Sequence, residues 1–175
     1  MTAVKQTIDD SDIDPNFKYE LANILGEKAL LHCFQCGTCT SSCPVADDVD
    51  IKPHQIIGMT LLGLKGKLLQ SKTIWLCAAC LACAEHCPRG VRSFYLQSVL
   101  KNLAARANNL PEGIREEGEI ILTTGLAIPI SSGIIKRRKK LGLPDLTPPD
   151  AETFQKIAEV TGVASLLSKK GGKEK

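Results

Sequence analysis

Two stretches decide the reading of this chain: CFQCGTCTSSCP at Cys33–Pro44 and CAACLACAEHCP at Cys77–Pro88. Both have the spacing C-x2-C-x2-C-x3-C-P, and together they contain all 8 cysteines of the 175 residues. Three thiolates separated by two residues each lie on a tight loop that can wrap one face of a cube-shaped cluster and meet three of its irons. The fourth thiolate begins to leave that loop. The proline after it fixes φ and turns the chain away.

This spacing is the ligand run of bacterial-type ferredoxins, here present twice. In two-cluster carriers with such runs, the fourth cysteine of each run ligates the other cluster. The expected cofactors are therefore two [4Fe–4S] clusters. One is assigned to Cys33, Cys36, Cys39 and Cys87; the other to Cys77, Cys80, Cys83 and Cys43. Structural zinc favours two separated C-x2-C knuckles, and a third cysteine in each block does not suit it. Disulfides are disfavoured by the tight triplets and by the reducing cytoplasm expected for the chain. Small residues let backbone N–H groups approach the sulfurs: Gly37, Thr38, Thr40, Ser41 and Ser42 in the first block, Ala78, Ala79, Ala82 and Ala84 in the second. Such hydrogen bonds tune the potential, and the alanine-rich loop is the drier one, so the two clusters are expected to differ.

Composition narrows the remaining classes. Aromatics are only 4% of residues, a thin supply of large core side chains that a cofactor can supplement. A net charge of +3 is too mild to argue for nucleic acid or a membrane surface. The longest apolar stretches, 56–64 and 120–130, fall short of the roughly 20 residues a membrane helix needs. The opening MTAVKQTIDD lacks the apolar segment of a signal peptide, which makes the cytoplasm the expected location. No phosphate loop, Ser/His/Asp set or paired-carboxylate site is present, so no catalytic residue is assigned. His32, His54 and His86 have no ligand constellation around them and are read as non-ligands.

The expected fold is mainly α, an alpha-helical ferredoxin-like domain with helical flanks and no strands beyond short ferredoxin-type pairs. Residues 1–13 read as a mobile tail, 14–108 as the two-cluster domain, 109–165 as a helical extension for partner docking and 166–175 as a disordered tail. Asp14-Pro15 reads as a helix start, with Phe17, Leu21, Ile24 and Leu25 on one face and Gly26 at the end. A helix is expected over 50–64, with Pro53 in its first turn, before Gly63 and Gly66 loosen the chain. Leu68, Leu69, Ile74, Trp75 and Leu76 lead into the second block, Trp75 as an apolar shield. A helix over 89–108 should carry Val91, Tyr95, Val99, Leu103 and Ala107, and Asn109, Pro111 and Gly113 should break it. Further helices are expected over 112–124, from Ser131-Ser132 to Leu141, and from Asp150 to near Gly162 with Phe154, Ile157, Ala158 and Val160. The basic run Lys136–Lys140 reads first as a solvated helix face, next as a contact for an acidic partner, and last as a nucleic-acid contact.

Beyond the cysteines, the chain resembles the C subunit of heterodisulfide reductase. The resemblance rests on CFQCGTCTSSCPVA at Cys33–Ala46, PHQIIGMTLLGL at Pro53–Leu64 and KTIWLCAACLACAEHCPRGV at Lys72–Val91, and more weakly on IPISSGIIKRRKKLGLP at Ile128–Pro144. It implies a two-cluster wire that takes electrons from the flavin-containing, iron–sulfur A subunit. The wire hands them to the B subunit, whose CCG domains reduce the coenzyme M–coenzyme B heterodisulfide of methanogenesis. It also implies a larger complex in which hydrogenase or formate dehydrogenase supplies the A subunit. All eight family ligands fall on the cysteines named above. No cysteine follows Cys87, so a CCG domain is not expected on this chain, and the active site is expected on a partner. Two other readings use the same clusters: a relay in a related complex of sulfur metabolism, and a free diffusible ferredoxin. The long helical flanks and slightly basic charge speak against the free carrier.

Overall fold

The structure, a computed structural model, describes residues 8–26, 28–128, 130–146 and 149–168. The chain forms two compact units, Met1–Ala107 and Asn108–Lys175. It is mainly α, and among the described residues there is no strand at all. The short strand pairs allowed for in the sequence do not form. A 3-10 turn leads into each cysteine block instead, Ala29–His32 before the first and Thr73–Leu76 before the second. Among the described residues no helix is long and apolar enough to cross a membrane.

In the first unit, α1 (Phe17–Leu25) starts two residues later than Asp14-Pro15 suggested. Asp14 Oδ1 accepts the Asn16 N–H at 3.0 Å and holds a turn ahead of the helix. Gly26 ends α1 as expected. Phe17 and Leu21 are fully buried, whereas Ile24 is 53% exposed, so the buried face is narrower than the apolar pattern. α2 (Thr38–Ser41) lies inside the first cysteine block. α3 (Pro53–Leu61) is shorter than the expected 50–64, because Pro53 occupies its first position and Gln55 Oε1 accepts the Lys52 N–H at 2.8 Å. α4 (Lys65–Gln70) follows at once and contains Gly66, which was expected to loosen the chain. α5 (Ala82–Glu85) lies in the second block, and α6 (Ser93–Arg106) closes the unit.

The expected stripe on α6 is misplaced. The helix starts at Ser93, so Val91 is buried in the loop before it, and the face turned inward carries Ser93, Leu96, Gln97, Leu100 and Ala104. Tyr95 is 46% exposed, while Val99 and Leu103 pack only at the edge. Phe17, Leu21, Ile56, Leu68, Leu96 and Leu100 form one core with Cys39 and Cys83. Each of these large side chains contributes on the order of 1.5–3 kcal/mol by leaving water. Trp75 packs partly buried against this core.

Within the segment expected to be mobile, Asp10–Asp12 form a 3-10 turn closed by Asp9 and Asp12. The rest of that tail, 1–7, lies outside the described residues.

In the second unit, α7 (Glu112–Thr124) follows Pro111 and includes Gly113, which was expected in the break, and Gly125 ends it. α8 (Ser132–Lys140) is capped by Ser131, whose hydroxyl accepts the Ile134 N–H at 3.3 Å. Its last turn holds Arg137, Arg138, Lys139 and Lys140, where cations suit the negative end of the helix. α9 (Ala151–Thr161) is capped by Asp150. Of its four expected core residues only Ala158 is buried; Val160 is 90% exposed. A helix absent from the sequence reading, α10 (Val163–Ser168), packs on α7 and α9 and makes the first residues of the expected C-terminal tail helical. Residues 169–175 lie outside the described residues.

α10 is held by a buried cation. Arg115 on α7 is 4% exposed and donates Nη1 to the carbonyls of Leu166 (2.9 Å) and Leu167 (2.7 Å). These are last-turn carbonyls with no partner within their own helix. Arg115→Met should therefore leave two acceptors unmet and cost about 2–4 kcal/mol of this unit's stability. Thermal unfolding should shift accordingly, and hydrogen exchange should show Val163–Ser168 losing protection first. Unchanged protection there would mean that Arg115 does not hold α10.

Candidate metal centre

The two cysteine blocks are structural copies. The residues that open each loop, Cys33 (φ −65°, ψ 121°) and Cys77 (φ −62°, ψ 119°), have the same backbone. Gln35 and Ala79 both adopt positive φ, 59° and 54°, and so do Gly37 at 80° and Leu81 at 64°. Only one of these four is glycine, and each side-chain-bearing residue held there costs about 1–2 kcal/mol. Left-handed residues in a tight loop can turn successive N–H groups to one side and build a concavity for an anion, a device used at iron–sulfur sites. The strain thus sits where a cluster carrying negative charge would be cradled.

After each loop a one-turn helix, α2 or α5, carries the third thiol inward, and these two helices pack on each other. Cys39 and Cys83 are buried, Cys36 and Cys80 are exposed, and the other four lie between. All eight are free thiols.

The fourth cysteine of the first block lies by the second block's triplet. Cys43 lines one cavity with Cys77, Cys80 and Cys83, closed by Val49, Ile51, Ile56, Leu81 and Phe94. The charges felt by Cys83 agree. Burial pushes the Cys39 thiol up to about 11, helped by the charges of Cys83, Cys33 and Cys87. Burial also raises Cys83; the Ser93 hydroxyl opposes this, and Cys77, Cys80 and Cys43 add to it. The thiolate is the form that binds iron, and burial works against it at both sulfurs; the cations of a bound cluster would offset that cost.

Donors around the sulfurs fit the same cofactor. Gln35 Nε2 donates to Cys33 Sγ at 3.3 Å, and the Val91 N–H donates to Cys87 Sγ at 3.3 Å. Thr38 Oγ1 lies 3.3 Å from Cys36 Sγ, and its hydroxyl holds the Cys36 thiol below the usual range. The sequence singled out Thr38 but not Gln35. Gln35 needs the missing side chain of Gly58, where a Cβ would stand 3.1 Å from its Oε1. Among the histidines, His54 is a structural tie. Its backbone N–H donates to Thr40 Oγ1 at 3.2 Å, and the same hydroxyl pairs with His54 Nδ1 at 2.7 Å. That pair fastens α2 to α3. His32 and His86 are exposed on the block flanks.

The pattern agrees with what the chain is similar to. Residues 29–91 match the model of a 4Fe-4S dicluster domain. The chain is 35% identical over 162 residues to the C subunit of the H(2):CoB-CoM heterodisulfide,ferredoxin reductase of Methanothermobacter marburgensis, covering 89% of this chain and 87% of that protein. It is 33% identical to the iron-sulfur C subunit of the CoB–CoM heterodisulfide reductase of Methanopyrus kandleri, over 87% of this chain and 82% of the relative. The C subunit of the ferredoxin:CoB-CoM heterodisulfide reductase of Methanosarcina mazei is 34% identical, over 80% and 85%. With this identity carried along nearly its whole length, and with the paired cysteine loops in place, the chain belongs to the family of heterodisulfide reductase C subunits, which are iron–sulfur electron-transfer proteins.

Proposed function

We propose that this chain relays electrons through two [4Fe–4S] clusters between partner subunits of a heterodisulfide reductase. One cluster is held by Cys33, Cys36, Cys39 and Cys87, the other by Cys77, Cys80, Cys83 and Cys43. The observation that carries the reading is that Cys43 lines one cavity with Cys77, Cys80 and Cys83. Crossed ligation ties both clusters into one core and sets them close together, as a relay requires. The bound clusters supply the redox chemistry. The protein's own groups fix them in place, exclude water through the apolar wall around Cys43, and donate hydrogen bonds to sulfur.

The donor in this proposal is the flavin iron–sulfur A subunit, fed by hydrogenase or formate dehydrogenase. The acceptor is the CCG-domain B subunit, which carries the active site for the coenzyme M–coenzyme B heterodisulfide of methanogenesis. The chain itself is non-catalytic. The surface of its second unit supports a docking role for residues 109–165. Ile128, Leu141, Ile157 and Val160 stand 74%, 67%, 54% and 90% exposed there, more apolar surface than a free carrier needs. Anaerobic isolation of the native complex, with its components identified by mass spectrometry, tests the reading. A flavin protein and a CCG-domain protein should copurify with this chain. A lone chain with about eight irons would retain the clusters and overturn the complex.

A further inference from the structure

The polar residues of α6 turned toward the core have no structural duty of their own. Ser93 is fully buried, and its hydroxyl has no hydrogen-bond partner of ordinary geometry among the described residues. Several other helix hydroxyls in this protein are met by a carbonyl one turn back. Thr60 donates to Ile56 O at 2.9 Å, Ser98 to Phe94 O at 3.2 Å and Thr161 to Ile157 O at 2.7 Å. Ser93 is the first residue of α6 and has no helical carbonyl behind it. Among the described residues, the one group its hydroxyl acts on is Cys83, whose thiol it holds down against the effect of burial. One turn on, at the i+4 position that shares its face, Gln97 is 6% exposed and lines the cavity of Cys43, Cys77, Cys80 and Cys83. Its amide carries two donors. Burying a hydroxyl and an amide on an otherwise apolar face is unfavourable unless both are met.

We propose that Ser93 and Gln97 are positioning residues that donate hydrogen bonds to the sulfurs of the cluster held by Cys43, Cys77, Cys80 and Cys83, and so raise its potential. The inference rests on the ligation proposed above. Reduction adds one electron to the cluster, with no proton transferred and no bond broken, and the added negative charge strengthens every bond donated to sulfur. The other triplet takes its side-chain bonds differently, from Gln35 and Thr38 in its own exposed loop. The positions matching those two in the second loop are Ala79 and Ala82, which can donate none. Helix α6 thus does for one cluster what the loop does for the other. Its bonds lie out of water, where they are stronger.

The test is an EPR-monitored redox titration of the full-length chain, purified without oxygen and loaded with clusters, in six forms: unaltered, Ser93→Ala, Gln97→Leu, those two combined, Ser93→Thr and Cys80→Ala. Cys80→Ala identifies the wave of the second cluster by removing it. Ser93→Ala and Gln97→Leu should each move that same wave to lower potential, and the two combined should move it by about tenfold in its reduction equilibrium, or roughly 59 mV for one electron, with the other wave left in place. Ser93→Thr, which keeps the hydroxyl, should restore the midpoint. A stationary wave, a shift of both waves or a shift of the other wave overturns the inference while the relay stands. Cys80→Ala that removes neither wave overturns the ligation itself. If Ser93→Ala or Gln97→Leu yields a chain that holds no second cluster, proton ENDOR of the unaltered chain decides: deuterium oxide should replace strongly coupled protons at the second cluster's signal, and their absence overturns the inference.

Discussion

Cys43→Ser is expected to empty the cluster site of the second block and spare that of the first, although Cys43 lies ten residues after Cys33 in the first block itself. Iron should fall from about eight to about four per chain, the loss of one four-iron cluster. The reason is geometric: Cys43 shares its cavity with Cys77, Cys80 and Cys83. Two further variants supply references, since Cys36 and Cys80 are both exposed and neither contributes to the buried core. The EPR spectrum left by Cys43→Ser should match that of Cys80→Ser and differ from that of Cys36→Ser. A match to Cys36→Ser would mean uncrossed ligation. Cys43→Ala guards against serine acting as a substitute ligand and should give the same spectrum.

The thiol chemistry was legible because ligand spacing is a local property, set by how far a loop can turn between two residues. Helix ends were legible for the same reason. Ser131 and Asp150 cap α8 and α9 as expected, and Gly26 and Gly125 end α1 and α7. What failed was the assignment of faces. On α6 the apolar residues at 95, 99 and 103 keep helical spacing, yet the inward face passes through Ser93 and Gln97. A hydropathy pattern counts polar residues as solvent-facing, and here both are buried, Gln97 in the cavity that Cys43, Cys77, Cys80 and Cys83 share. The same rule overstated α9, where Phe154, Ile157 and Val160 keep helical spacing without a core to enter. The left-handed residues Gln35, Ala79 and Leu81 carried no sequence signal, because nothing in their side chains favours positive φ. Their conformation follows from the loop they belong to.

Two glycines three residues apart, which read alike in the sequence, should respond in opposite ways to alanine. Gly63 lies at φ 79°, and a Cβ there would stand 2.2 Å from the backbone oxygen of Asp14 and 2.7 Å from its carbonyl carbon. The close approach is fixed by a hydrogen bond, since the Asp14 N–H donates to Gly63 O at 2.9 Å. Lys65 strengthens the same junction, reaching Glu20 at 2.9 Å and covering the ring of Phe17. Gly63 is therefore where the segment leading into α1 is clasped against the turn between α3 and α4. Alanine adds about 1–2 kcal/mol of left-handed strain and a clash with backbone, which no rotamer change relieves. A total loss of at least about 3 kcal/mol is expected, toward the severe end for a point substitution. The easiest relief is for α1 to detach, so hydrogen exchange should show Phe17–Leu25 losing protection ahead of α3 and α6. Gly66 lies inside α4 with nothing within 4 Å of its added Cβ. Gly66→Ala should stabilise by up to about 1 kcal/mol through helix propensity alone. Equal effects of the two substitutions on the midpoint of thermal unfolding would refute the clasp, because they share residue type, exchange and neighbourhood and differ only in backbone conformation and in what stands opposite.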